Sequence, residues 1–147
     1  MTSNKTSVTK QEAAVSCACQ QVRMAARAVT RAYDRALRPS GLRSTQFTIL
    51  VAASVAGGIP LHRLAKILGL ERTTLTRNLA AIERKGLIEV ADVDGRTRKV
   101  IVLPAGETLL TQALLLWNQA QERLREKLGE EGWSSLRDSL GDLAKFA

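Results

Sequence analysis

Two short runs hold residue types able to read a nucleic acid. Arg72, Thr73, Thr74, Thr76 and Arg77 crowd the start of one helical pattern, and Arg96, Arg98 and Lys99 follow an Asp94-Gly95 turn. Guanidinium groups pair with phosphate or with the outer edge of guanine, and threonine hydroxyls reach phosphate or base edges. Leu75, Leu79 and Ile82 recur at helical steps. They define a buried back and turn Arg72, Thr73, Thr76, Arg77 and Ala80 outward, with Ala80 leaving room for close approach. The plain alternative is a solvated helix face with ordinary charges, and an exposed charged hairpin in which Asp92 and Asp94 offset the cations. Ser44 and Gln46, opening an earlier helix, complete the candidate DNA contacts.

Other chemistry finds little support. His62 is the only histidine, and no Ser-His-Asp set, glycine-rich phosphate loop or metal-ligand spacing surrounds it. No catalytic residue, metal or cofactor is expected, and His62 reads as an exposed polar residue. Cys17 and Cys19 are separated by one residue. On a continuous helix their side chains diverge by about 200°, which argues against a disulfide and leaves them as small buried hydrophobes. No stretch approaches the ~20 apolar residues of a membrane span, and Met1 to Lys10 lacks a signal-peptide core, so a cytoplasmic protein without membrane contact is expected.

The elements that must position these side chains are mostly helices. Aromatic residues make up 3% of a chain that is 45% hydrophobic, so the core must be built of Leu, Ile, Val and Ala. Thr9 to Glu12 fits a capping box that opens one long helix, closed by Pro39 and Gly41, with a buried stripe from Ala14 to Leu37. A second helix spans Ser44 to Ala56. A short third one has Pro60 at its first position and ends at Gly69, and a fourth runs from Arg72 to Lys85. Spacing then switches to two. Ile88 and Val90, then Val100 and Val102, flank a polar tip and predict a β-hairpin. A long helix follows Pro104, Gly129 to Gly132 interrupt it, and a last helix sets Trp133, Leu136, Leu140 and Leu143 on one seam.

The chain of 147 residues carries a formal charge of +8, unevenly spread. Residues 1–106 hold 17 Lys or Arg against 7 Asp or Glu, and residues 107–147 hold 5 against 7. A polyanionic partner suits the first part, and the second has a separate job.

Helix, short helix, tight turn, helix and basic hairpin is the order of a winged helix-turn-helix: a mainly α fold with a small β-hairpin wing. The run from Leu64 through Arg77 to Ile88 resembles the recognition segment of the multiple-antibiotic-resistance regulator (MarR) family. Asp94-Gly95-Arg96-Thr97-Arg98-Lys99-Val100 resembles that family's wing, in which an acidic residue pairs with the arginine two positions later. The chain departs from the pattern at Leu103, where a Thr cap is usual, and at Glu71, where Asp is more common. The resemblance implies a homodimeric transcriptional regulator on a palindromic double-stranded DNA operator, by family habit a repressor. Residues 1–8 are then a disordered tail, 9–38 and 105–147 a helical dimerisation region, and 42–103 the DNA-binding domain. Trp133, Leu136, Leu140 and Leu143 agree, since one small chain offers them few partners.

Members of the family respond to anionic aromatic molecules or to oxidation. Arg23, Arg27, Arg31 and Arg35 form a like-charged row that calls for anions. Glu122, Glu126, Asp138 and Asp142 are the structural candidates, a small aromatic carboxylate bound by Arg23 or Arg27 is another, and DNA is a third. Cys19 and Tyr33 are spaced as in the family's organic-hydroperoxide regulators, with Arg23 where a second tyrosine would stand, giving a thiol-based alternative.

Overall fold

The computed structural model describes residues 7–146. Most of the expected tail lies outside the described residues; Ser7 and Val8 are exposed and without regular structure. The chain forms two compact units, Met1–Ala32 and Tyr33–Ala147.

In the first unit Thr9 caps as expected: its hydroxyl accepts the Glu12 amide at 3.1 Å and Glu12 Oε2 accepts the Thr9 amide at 2.7 Å. The single long helix is instead two, α1 (Lys10–Ser16) and α2 (Ala18–Leu37), with Cys17 between them at φ −64°, ψ 105°. Local side chains satisfy the break. Ser16 Oγ donates to the Glu12 carbonyl and Gln21 Nε2 donates to the Val15 carbonyl at 2.9 Å. Both cysteines are free, and they are exposed where burial was expected. Because Cys17 leaves the helix, the divergence that argued against its bonding to Cys19 does not apply. The expected buried stripe is also uncovered: Val15 is 76% exposed and Met24 58%, because two helical segments have no further layer in their own unit.

The second unit carries the core. α3 (Ser44–Ala56), α4 (Leu61–Leu68) and α5 (Arg72–Arg84) pack Phe47, Ile49, Leu50, Leu64, Leu75, Leu79 and Ile82 around Leu37 from the end of α2. The hairpin is present as β2 (Ile88–Asp92) and β3 (Arg98–Val102), with Val90 opposite Val100. A third strand went unforeseen. β1 (Ile59–Pro60) pairs antiparallel with β3, and Pro60 therefore precedes α4 instead of starting it. Two residues are too few for a period-two signature, and the edge position tolerates the missing amide.

α6 (Pro104–Ala144) begins against the sheet. The Leu103 amide donates to the Leu87 carbonyl at 2.9 Å, and an added Cβ at Gly106 would lie 2.2 Å from that oxygen. Only glycine permits this approach. Leu103 and Glu71 start α6 and α5 without side-chain caps, as their departure from the family pattern implies. Gly129, at φ 72° and ψ 169°, kinks α6, and helical structure resumes at once instead of after Gly132. No helix among the described residues is long and apolar enough to cross a membrane.

Candidate nucleic-acid interface

α4 ends at Gly69, whose amide and that of Leu70 return to the Lys66 and Ala65 carbonyls at 3.3 and 3.0 Å. This tight turn sets α5 against α4. Buried Leu75, Leu79 and Ile82 fix the rotation of α5, leaving Arg72, Thr73, Thr76, Arg77 and Ala80 exposed and Thr74 half-buried. The Thr76 hydroxyl donates to the Arg72 carbonyl at 2.8 Å. It faces outward as an acceptor with its proton already engaged.

The wing is held from inside its own tip. Gly95 takes φ 77°, a left-handed conformation favouring glycine, and its amide donates to Asp92 Oδ1 at 2.8 Å. Asp94 Oδ1 accepts the amides of Arg96 and Thr97 at 2.9 and 2.7 Å. These backbone bonds, Arg96 first, hold the Asp94 carboxyl below the ordinary aspartate range. Asp94 and Arg96 thus meet as the family wing implies, with the Asp94 carboxylate on the Arg96 backbone amide. Among the described residues no ion pair engages Arg72, Arg77, Arg96 or Arg98.

Recognition helix and wing meet across one open cleft of about 710 Å3, bordered by Lys66, Glu71, Arg72, Thr76, Arg96 and Arg98. Four of these six are cations. Lys66 was missed at the sequence level, although its place on the outer face of a bracing helix was signal enough. His62 also lines the cleft and is exposed. Lys99 stands half-buried on β3, opposite Pro60.

Two other candidates sit differently. Gln46 is 8% exposed and its Oε1 accepts the Arg43 amide at 3.1 Å. It caps α3 and is buried, unlike the exposed Arg72, Thr76 and Arg77. Ser44 is half-exposed, with its amide donating to Asp34 Oδ1 at 2.7 Å. Asp34 had no sequence signal, since its partner lies ten residues away across a turn.

Of the effector and redox candidates, Arg23, Arg27 and Cys19 are exposed in the first unit. Tyr33 belongs to the second, where its hydroxyl donates to Gln121 Oε1 of α6 and burial raises its phenol above the usual range. Among the suggested acidic partners of the arginine row, Glu122 is held by Arg125 at 3.4 Å, and Arg125 also reaches Glu130 at 3.1 Å.

A bracing helix, a tight turn, an outward-facing cationic helix and a three-stranded basic wing define a winged helix-turn-helix protein. Residues 42–94 match the MarR family model. The transcriptional regulator MosR of M. tuberculosis, solved in complex with DNA, is 39% identical over 88% of this chain and 94% of its own, with a TM-score of 0.80. A mutant MarR from E. coli, complexed with operator DNA, has the same fold at 21% identity and a TM-score of 0.81, covering 92% of this chain and 99% of its own. YwoH of Bacillus subtilis (strain 168), an uncharacterized HTH-type transcriptional regulator, is 25% identical over 83 residues. That alignment covers 56% of this chain and 61% of YwoH, so less than two thirds of that relative is spanned. The chain belongs to the MarR family of winged-helix transcriptional regulators.

Proposed function

We propose that the protein is a homodimeric, sequence-specific repressor that binds a palindromic operator in double-stranded DNA and lets go when a small aromatic carboxylate binds. The observation that carries this reading is the open cleft bordered by Lys66, Arg72, Thr76, Arg96 and Arg98. α5 enters the major groove with Arg72, Thr73, Thr76 and Arg77. The wing carries Arg96 and Arg98 toward the neighbouring minor groove, where negative potential is concentrated. Similarity to MosR, which was solved with DNA, supports the same partner here. Pairing of two chains is supported by Leu140 and Leu143, 49% and 51% exposed, and by the uncovered face of α1 and α2. Arg23 and Arg27 are the proposed carboxylate contacts.

Selecting bound duplexes from a random pool tests the reading, and a palindrome is expected. Arg77→Ala and Arg96→Ala should each weaken binding by about 1–3 kcal/mol, measured by gel shift at fixed salt. A wild-type protein that ignores duplex DNA at low ionic strength refutes the proposal. Titrating aromatic acids against the complex tests the effector, with release as the expected result.

Exposure of both thiols favours a second reading, release by oxidation. A hydroperoxide would convert Cys19 to a sulfenic acid, releasing alcohol or water, and the Cys17 thiol would condense with it to a disulfide and water. Stoichiometric peroxide should then release wild type but not Cys19→Ser from DNA. Unchanged wild-type binding would exclude this reading.

A further inference from the structure

Two adjacent residues near the end of α2 hold two different elements. The Tyr33 hydroxyl donates to Gln121 on α6, while the Asp34 carboxylate accepts the Ser44 amide at 2.7 Å, at the first residue of α3. Gln46 accepts the Arg43 amide at this helix end, and Asp34 supplies an anionic acceptor for the next one, that of Ser44. Further along, α3 is fastened to α6 by other means: Phe47 stacks on Trp117 at 6.1 Å and Ser54 donates to Glu107 at 2.8 Å. At its near end α3 is fastened by Asp34 to α2 instead.

The segment between Asp34 and Ser44 is itself stiff. Leu37 and Leu42 are buried, and the Ser40 hydroxyl donates to the Leu37 carbonyl at 2.6 Å while accepting the Leu42 amide at 3.2 Å. The same segment reaches the far end of the recognition helix, because Lys85, directly after α5, donates through Nζ to the Gly41 carbonyl at 2.8 Å. A short, rigid path therefore links α6 to Tyr33, Asp34, the α3 start and the C-terminal end of α5.

We infer that Asp34 is a positioning residue that sets the angle at which α3, and the winged lobe built on it, leaves α6 and the end of α2, and so the half-site spacing that the dimer accepts. The inference rests on the dimeric DNA-binding reading. Asp34 touches no DNA in this account and acts through α3. A group that only stabilised the lobe would weaken a single half-site and a palindrome alike. A group that sets lobe angle affects the palindrome selectively, because only there must both lobes be in register.

The test compares wild type with Asp34→Ala, Asp34→Asn and Asp34→Glu on three probes: the selected palindrome, a duplex holding one half-site, and palindromes with spacing changed by single base pairs. Sedimentation velocity should find all four proteins dimeric. Asp34→Ala should lose about tenfold on the palindrome, as expected for one hydrogen bond to a charged group, while keeping half-site affinity and tolerating altered spacing. Asp34→Asn, whose neutral amide oxygen still accepts the Ser44 amide, should recover part of the loss. Asp34→Glu, with its carboxylate moved outward by a methylene, should lose palindrome affinity selectively even if the alanine variant folds poorly. Equal losses on palindrome and half-site, or wild-type affinity and spacing preference in both the Ala and Glu variants, overturn the inference. A wild type that binds none of the probes overturns the underlying reading, a result visible before any variant is made.

Discussion

At the scale of single residues, the wing depends on Asp94 more than its exposed position suggests. One carboxylate oxygen collects the Arg96 and Thr97 amides and fixes the backbone from which Arg96 projects. Since these bonds lower the Asp94 pKa, they stabilise the turn above the ordinary aspartate range of about 3.9, and the contribution disappears as pH falls through the lowered value. Protection of the Arg96 and Thr97 amides, measured as exchange relative to the intrinsic rate at each pH, should therefore be lost in strong acid and kept near neutrality. Asp94→Ala should free both amides at every pH and weaken DNA binding, while Asp94→Asn, still an acceptor, should keep the turn. Amide exchange followed by NMR decides the matter: unchanged rates in the alanine variant would show that the hairpin holds itself. The sequence placed Asp94 and Arg96 in the same signature as a pair but did not say through which atoms. A residue pattern records which types recur together and leaves open which atoms meet.

At the scale of elements, the most constrained contact is the start of α6 on the sheet. Gly106 is buried beneath the Leu87 carbonyl, which cannot withdraw because it also accepts the Leu103 amide. Gly106→Ala would push a methyl to 2.2 Å from that oxygen and 2.7 Å from Val102 Cγ1, so stability should fall by about 1–3 kcal/mol. Urea unfolding measures it, and an unchanged midpoint would mean that α6 slides freely. α3 and α5 were legible because apolar residues at helical steps face one core and Gly57 and Gly86 follow their last turns. β1 was not legible, since two residues show no period. The break at Cys17 was equally hidden, because Ser16, Gln21 and Val15 supply it with local bonds that no apolar spacing reveals. Gln46 looked like a surface residue by type alone, and only the fold shows that capping Arg43 buries it.

At the scale of the whole molecule, the sequence separated a basic amino-terminal part from a slightly acidic end, and the structure gives each a different kind of surface. Cations border the cleft of the winged lobe, whereas exposed apolar side chains run along α6 to Leu140 and Leu143. Leucines so placed oppose solubility in a lone chain and favour a second copy. Dimerisation and DNA affinity should accordingly be separable by mutation. Leu140→Glu with Leu143→Glu puts charge on the apolar seam, so this variant should sediment as a monomer. It should retain weak half-site binding, since Arg72, Thr76 and Arg96 lie on a lobe whose core these leucines do not enter. Its salt dependence on a half-site should be about half as steep as that of the wild-type dimer on the palindrome, because the slope counts neutralised phosphates and one lobe covers half of them. Gel shifts across a salt series measure both slopes. Equal slopes in the two proteins would mean that a single lobe makes all the phosphate contacts, and the apolar seam of α6 would then need an occupant other than a second copy.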